Sequence, residues 1–234
     1  MSWTITPQTK VPVDPVFNNV SLLLHGNGAN GSTTITDSSS SPKTVTAVGN
    51  AQISTAQSKF GGSSMLFDGT GDWLTIPDSD EFSFGSGNFT IEAWIYNNTT
   101  GTFRHIVGQG NGNGTVAAFY FFKSNTNKLS GLIGSSGGST IVSSSADLPL
   151  NTWTHVAFVR NGGTITLYIN GVADGTASVT GIVVNDLSNQ LRVGAAGEFP
   201  TDTWAGYIDE LRITKGVARY TSNFTPPTAP FPDI

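Results

Sequence analysis

The chain has 234 residues and a net charge of −5, and only 12% of its residues are charged, about half of the roughly 25% usual in soluble domains. Because an acidic chain with few cations has no basic surface to displace counterions from phosphates, we do not expect nucleic acid as a partner. Cysteine is absent, which excludes disulfides and thiolate metal sites. No apolar stretch is long enough to span a bilayer and the N-terminus lacks the apolar region of a secretory signal, so we expect neither membrane insertion nor export by that route.

Both ends of the chain are rich in proline and are predicted to be extended arms. Proline fixes φ and removes an amide donor, which suits an arm better than a helix or a central strand. We therefore expect an N-terminal arm over residues 1–19, one domain over residues 20–218 and a proline-rich tail over residues 219–234. Trp3 and Phe231 lie within these arms, and each is a candidate anchor in the pocket of a partner protein.

Between the arms, short β-branched or aromatic runs alternate with glycine and asparagine turns, and no segment of a dozen residues has helical periodicity. Such a series of short strands is typical of an antiparallel sandwich or barrel. We therefore predict an all-β antiparallel fold, either a sandwich or a barrel. The predicted strands are Val20–His25, Ser64–Phe67, Trp73–Ile76, Phe89–Tyr96, Phe103–Val107, Val116–Phe122, Leu129–Ile133, Thr140–Ser143, Trp153–Arg160, Thr164–Asn170, Gln190–Val193 and Tyr207–Thr214.

The stretch "WTHVAFVRNGGTITLYING" predicts a hairpin at the centre of a sheet. Strand Trp153–Arg160 has apolar residues on both of its faces, so we expect it to be covered on both sides. The Asn-Gly-Gly turn at residues 161–163 leads into the half-exposed partner strand Thr164–Asn170. Trp153 is predicted to be a core residue, and His155, which has no nucleophile or metal ligand nearby in the sequence, a hydrogen-bonded core histidine.

These residues also carry a family resemblance. The hairpin is similar to that of the laminin-G-like, concanavalin A-like jelly rolls, and three further stretches fit the same family in the same order: "SMLFDGTGDWLTIP", "FTIEAWIY" and "GYIDELRIT". The resemblance covers roughly residues 20–218. It implies a jelly-roll sandwich, whereas a fold of this kind leaves the activity open.

The flanks "SLLLHGNGANGSTTITDSSSSPKTVT" and "ITKGVARYTSNFTPPTAPFP" resemble versions of this domain found in bacteriophages, particularly marine and cyanobacterial phages. There such domains occur in tail, fibre or capsid-surface proteins. The resemblance implies a non-enzymatic protein of the virion surface, made in the bacterial cytoplasm, with other virion proteins and host cell-surface glycans as partners. A homo-oligomer is also consistent with this interpretation. The alternatives are a free-standing carbohydrate-binding module and a glycoside hydrolase.

Sugar binding needs an aromatic side chain that stacks on a pyranose, with polar groups nearby. Trp204, in the loop-like stretch "EFPTDTWAG", is the candidate platform, and packing over the rim of the sandwich is the alternative. Asp202, Glu198 and Asn185 are the candidate polar neighbours of a bound sugar.

Metal binding and hydrolysis both depend on carboxylates. No cofactor is required for the predicted function, but Ca²⁺ is an optional ligand, with Asp68, Asp72 and Asp209 as its candidate ligands and turn formation as the alternative role of the loop aspartates. Sandwich glycosidases use two carboxyl groups, and the motif Glu-x-Asp-x-x-Glu is absent. Glu92 and Glu210 are the remaining candidate acids, each predicted to be paired inside the sandwich.

Overall fold

The computed structural model describes residues 13–111, 116–197 and 201–234. These residues form two antiparallel sheets and two short 3-10 turns, Phe17–Asn19 and Asp80–Phe82, without an α-helix. The strands are β1 (Val20–Leu24), β2 (Thr46–Val48), β3 (Gln52–Ser54), β4 (Ser64–Asp68), β5 (Trp73–Ile76), β6 (Phe89–Asn97), β7 (Arg104–Gly110), β8 (Ala117–Lys123), β9 (Lys128–Ser135), β10 (Gly138–Asp147), β11 (Trp153–Asn161), β12 (Thr164–Ile169), β13 (Val172–Ser178), β14 (Leu191–Val193) and β15 (Ala205–Lys215). The predicted all-β sandwich is confirmed.

The two sheets differ in size and are called the back sheet and the front sheet. The back sheet has eight strands in the order β13-β12-β11-β6-β15-β4-β3, with β1 paired to β15 beside this path. The front sheet has seven strands in the order β10-β9-β8-β7-β14-β5-β2. At the centre of each sheet, strands distant in sequence are neighbours, such as β6 and β15 or β7 and β14, as in a jelly roll. In the described part of the chain, no helix has the length and apolar character needed to cross a membrane.

The core lies between the sheets and is rich in phenylalanine. Phe121 of the front sheet stacks on Phe158 of the back sheet with 5.8 Å between ring centroids, and Phe89 meets Phe158 edge-on at 5.2 Å. Gly131 is needed at this point, because a Cβ built there would lie 2.7 Å from the Phe158 ring. Each buried ring contributes about 1.5–3 kcal/mol of transfer free energy, so this contact joins the sheets strongly.

The predicted hairpin at the centre of the back sheet is confirmed. Strands β11 and β12 pair in register from Val156 opposite Ile169 to Asn161 opposite Thr164. Strand β11 is buried along nearly its whole length, as expected for a strand covered on both faces. His155 is fully buried and hydrogen-bonded, as the sequence predicted for it.

Three strands were missing from the prediction: β2, β3 and β13. All three are edge strands, at the ends of the two sheets. Strands β2 and β3 contain only three residues each, and β13 is largely polar with a glycine at position 175. Edge strands carry a weaker hydrophobic alternation than central strands, because one of their sides does not pair within the sheet.

Strand β15 contains a bulge that changes the predicted orientation of its side chains. Its first part pairs with β4 and its second part with β1, and the register against β6 shifts between Asp209 and Arg212. Glu210 has a φ of 50° at this point, which is rare outside glycine and asparagine. The sequence alternation predicted Glu210 on one face with Ile208 and Arg212. This is wrong, because Ile208 lies in the core whereas Arg212 bonds groups on the outer side of the sheet.

The outer side of the back sheet, called the back face, is covered by the C-terminal tail. Tyr220 and Phe224 stack with 3.5 Å between centroids and pack on Tyr168 of β12. Phe231 is only 4% exposed and packs with Val20 of β1, so the prediction that it anchors the protein in a partner is wrong for this conformation. The ring is already buried in its own domain. Trp3, the other predicted anchor, lies outside the described residues.

Candidate binding site

The outer side of the front sheet, called the front face, presents one row of side chains that crosses the sheet. The members of this row are successive cross-strand partners and alternate with core residues along their strands. No part of the described tail is among the residues that pack with its aromatic cluster. From β10 to β5 the row consists of Ile141, Leu132, Tyr120, Gly108, Arg192 and Thr75.

Tyr120 lies flat on the front sheet because strand β7 has glycines beneath it. A Cβ at Gly108 would lie 2.5 Å from Cδ1 of Tyr120, and a Cβ at Gly110 would lie 2.5 Å from its hydroxyl oxygen. Neither distance is compatible with a side chain at these positions. The two glycines therefore make the shallow floor on which the tyrosine ring rests.

An aromatic cluster surrounds this ring. His105 contacts Tyr120 edge-on at 5.3 Å and Phe122 at 5.4 Å between centroids, and Phe103 lies 6.2 Å from Phe122. Tyr120 and Phe122 are only 4% and 8% exposed, whereas Phe103 and Ile141 at the borders are 41% and 55% exposed. The front face thus has a buried aromatic cluster with exposed apolar edges at Phe103 and Ile141, and these edges suit the apolar CH groups of a sugar ring.

His105 contributes to this cluster as a neutral ring. Burial lowers its pKa below the usual value, and the carbonyl of Asp202, 3.4 Å from the ring Nδ1, opposes the shift only in part. The imidazole is therefore uncharged at neutral pH. A neutral imidazole among aromatic rings favours stacking with an uncharged ligand surface over ionic contact.

Two of the predicted sugar-binding residues lie at borders of the front face. Asp202 is placed beside His105, and the side-chain amide of Asn185 donates to the carbonyl of Ala117, which belongs to the cluster with Tyr120. The side-chain amide of Asn185 is used in this hydrogen bond, which holds its loop against β8. The structure brings these two residues to the same face, at separate edges.

Trp204 is not a sugar platform. Its side chain is fully buried in the main core, so its indole presents no surface to a ligand. The alternative that the sequence left open, packing within the sandwich, describes its position. Glu198 lies outside the described residues.

The three predicted calcium ligands do not come together. Asp72 is fully buried and accepts from the amides of Asn50 and Asp68, which makes it a turn residue. Asp209 lies four residues beyond the partner of Asp68 on β15, about 13 Å along the strand. Among the described residues, no group of three or more histidines and carboxylates has the geometry of a metal site.

Asp209 has a different role, since its Oδ2 accepts from the amides of Lys59 and Phe60 while Oδ1 is buried without a partner in the described structure. Burial raises its pKa to about 7, and the charge of Glu210 adds to the rise. Glu210 is also committed, because it accepts from His25 Nδ1 at 2.8 Å and from the Phe231 amide at 2.8 Å.

Glu92, the other candidate acid, belongs to a buried ionic network on the back face. Arg212 donates to it at 2.8 Å and 3.0 Å, Tyr220 at 2.7 Å, and His155 lies at 3.2 Å. Burial opposes ionisation, but the Arg212 charge together with the contacts of His155 and Tyr220 outweighs it and holds the pKa of Glu92 far below its usual range. A fully buried, permanently ionised carboxylate can neither donate a proton nor reach a polysaccharide.

The sequence analysis did not select the residues that build the front face. Tyr120 and Phe122 stand in the run "FYFF", whose alternation indicated one core side and one side of undetermined role. His105 and Phe103 precede this strand in the chain, and only the β7–β8 pairing places them beside it. The run of four aromatics was the signal that could have pointed to this face.

These features define a class, the antiparallel β-sandwich domains, here with the C-terminal tail packed over one sheet face. The Laminin_G_3 family model, described as the concanavalin A-like lectin/glucanases superfamily, matches residues 68–219, and the chain belongs to this superfamily. The family resemblance of the sequence motifs is thereby confirmed. No curated protein matches the sequence.

Several solved structures share the fold. The binding domain of Paraclostridial Mosquitocidal Protein 1 superposes with a TM-score of 0.68 at 16% identity, over 86% of this chain and 50% of that one. The binding domain of botulinum neurotoxin serotype D gives 0.65 at 16% identity, over 88% and 50%, and that of serotype G gives 0.63 at 14%, over 85% and 48%. The chain thus spans about half of each of these structures, and at this identity the likeness shows the fold alone.

Proposed function

We propose that the protein is a non-enzymatic binding module that recognises a glycan on its front face. One observation carries this proposal: Phe103 and Ile141 are exposed at the edges of the aromatic cluster on the front face, while the described tail packs on the back face. The superfamily includes lectins by its description, and the structures with the same fold are binding domains by their titles. Both facts support a binding role.

A hydrolytic role is less well supported. Glycosidases of this type place two carboxyl groups about 5–10 Å apart on either side of the scissile bond. Glu92 and Glu210 are buried on the back face and committed to Arg212 and His25. If the protein were a hydrolase of this type, laminarin, agar or xylan would be degraded and Glu92→Gln would abolish the activity. We expect no degradation of any of the three.

For the biological setting we propose the surface of a phage virion, either on the capsid or in a tail or fibre. The support is the resemblance of the flanking sequences together with the position of the described ends. The Asp14 amide donates to the Ile234 carbonyl at 2.8 Å, beside the back face. Both described ends of the chain therefore lie beside the back face, on the side of the sandwich opposite the front face. A free-standing carbohydrate-binding module is the alternative.

The glycan proposal is tested on a glycan array with matched substitutions. Phe103→Ala is expected to weaken binding at least tenfold, because it removes the exposed ring at the edge of the cluster. Val172→Ala is the control, since Val172 is 56% exposed on the edge strand of the other sheet. If the array shows no ligand for the wild type, or if both variants weaken binding equally, the proposal fails.

The virion proposal has its own test. Purified particles of the phage that encodes this chain should contain it in a fixed number of copies, as measured by quantitative mass spectrometry. Its absence from the particles would leave the free-standing module as the interpretation.

A further inference from the structure

Arg104 and Lys123 are neighbouring cations at one end of the sandwich, and neither forms an ion pair with a described carboxylate. Arg104 at the start of β7 is the cross-strand partner of Lys123 at the end of β8. The chain has 16 acidic and 11 basic residues, so acids are in excess. Nevertheless, no described carboxylate forms an ion pair with either cation. Like charges directly opposite one another in a sheet are destabilising, and a pair of this kind calls for an anion.

The donors of these two side chains are only partly used. The Lys123 ammonium is fully buried and has three hydrogens, but it donates to one described acceptor, the Thr102 carbonyl at 2.8 Å. Arg104 donates through Nη1 to the carbonyls of Gly69 and Thr203, while its Nε is buried without a described partner.

Two hydroxyls add to this set. The Thr203 side chain is fully buried, and its oxygen has no hydrogen-bond partner among the described residues. The same holds for the Thr99 hydroxyl, on the segment that connects β6 to β7. A buried hydroxyl without a partner costs about 1–3 kcal/mol, so unpartnered donors at one end of the sandwich are a substantial penalty in the absence of a ligand.

The charge state of Lys123 agrees with this geometry. Burial and, to a smaller extent, the charge of Arg104 together lower the pKa of Lys123 to about 8. A nearby anion would reverse both effects, since it would restore solvation of the ammonium and screen it from the guanidinium.

The cover over Lys123 is thin and has few bonds to it. Residues 100–102 are exposed, and Gly101 has a φ of 77°, in the left-handed region. The Thr102 carbonyl is the group that an incoming anion would replace at the ammonium. Phe103 and Phe122 precede the two cations directly in sequence, so by strand alternation the cation pair lies on the core side at the end of the same hairpin, whereas the aromatic cluster lies on its outer side.

We propose that Arg104 and Lys123, with the Thr99 and Thr203 hydroxyls, form a subsite for an oxyanion, the carboxylate or sulfate group of an acidic sugar. The inference rests on the proposed function, because the sugar ring itself would stack on the front face. It narrows the ligand class from glycans in general to anionic glycans. Hydroxyl and cationic donors together are the set that binds such groups in proteins.

The test uses the wild-type protein and inorganic sulfate as the probe. The Arg104 Nε–H resonance is followed by NMR during titration with sodium sulfate, with sodium chloride at the same ionic strength as the control. We expect a saturable shift with sulfate alone. Lys123→Met should weaken this binding at least tenfold, whereas Lys128→Met should leave it unchanged, since Lys128 is paired with Asp147 at another edge.

A second measurement does not depend on the resonance assignment. Without sulfate, Lys123→Met should raise the Tm, because it removes one of two opposed buried charges, and sulfate should raise the Tm of the wild type but not of this variant. An unsaturable response, or an equal sulfate response in wild type and Lys123→Met, overturns the inference.

A glycan array shows which group supplies the anion. It carries glycans that contain glucuronic acid, sulfated glycans and neutral glycans, all with matched backbones. The inference is supported if Lys123→Met loses binding to charged glycans while the wild type and the variant bind neutral glycans equally weakly. Neutral glycans bound as tightly as charged ones, in a manner dependent on Phe103, would overturn it and leave the proposed function intact. Sulfate binding at Arg104 without any glycan ligand would instead overturn the proposed function.

Discussion

The two outer faces of this sandwich are built on the same strand alternation, yet they differ in chemistry and in covering. The back face carries a network of ionised groups around Glu92 and Arg212, and the chain's own tail packs over it. The front face has the neutral aromatic cluster around Tyr120, and the described tail does not reach it. A buried charge needs partners, and the tail supplies one as the Tyr220 hydroxyl. An aromatic surface has no such need, and its edges at Phe103 and Ile141 stay exposed.

The comparison also shows how the termini are held. Asp14 accepts from Arg219 at 2.7 Å and from Arg212 at 3.2 Å, so a residue near the start of the described chain joins the network on the back face. The Arg212 guanidinium also lies 3.8 Å from the centroid of the Phe231 ring. A single arginine thus contacts the core sheet, the N-terminal segment and the tail.

The largest expected effect is therefore at this arginine. Arg212→Met leaves the fully buried Glu92 without its main counter-charge and is expected to lower the free energy of unfolding by about 3–5 kcal/mol. Urea unfolding measures this loss. Lys128→Met is the control, because it breaks the partly exposed pair with Asp147 and should cost no more than about 1 kcal/mol. Equal losses in the two variants would show that the buried network is not what holds the back face.

The next effect is that of the tail itself. Phe231→Ala removes a ring that is 4% exposed and is expected to lower stability by about 3 kcal/mol, with faster amide exchange along β1. Thermal unfolding and hydrogen exchange provide the measurements. Glycan binding at the front face should not change, and a parallel loss of binding would contradict the separation of the two faces.

The stability of the protein is also expected to depend on pH through Asp209. Folded Asp209, with its pKa raised to about 7, keeps a proton that the unfolded chain releases near pH 4, so its contribution to stability falls as the pH rises between these values. Asp209→Asn should abolish that fall, on the order of 2 kcal/mol between pH 4 and pH 8. Tm measured against pH for both proteins shows the difference. Parallel curves for wild type and variant would refute this assignment.

The smallest effect on stability is expected at the front face. Phe103→Ala should lower the free energy of unfolding by less than about 1 kcal/mol, because the ring is 41% exposed and leaves no large cavity. The same substitution should have the largest effect on glycan binding. Chemical unfolding of Phe103→Ala and Phe231→Ala side by side gives the comparison, and similar losses would mean that the front edge is structural.

Particular residues show how much of the structure could be predicted from the sequence. The run Trp153–Arg160, apolar on both faces, predicted a doubly covered strand, and His155 is indeed a buried, bonded histidine. The proline-rich tail was predicted to be extended, but its prolines gave no indication that Phe231 packs on β1. Trp204 was misjudged because the loop-like residues around it suggested exposure, whereas the ends of the sheets enclose it.

The sequence by itself determined most of the strands, the central hairpin and the superfamily, because alternation and turn residues act over a few neighbouring positions. Only the tertiary structure decided which face the tail covers, where the bulge at Glu210 turns the side chains of β15, and that Arg104 and Lys123 stand opposite each other without an acid. These features depend on pairings between strands far apart in the chain. No local pattern records such pairings, since each strand presents the same alternation to any partner.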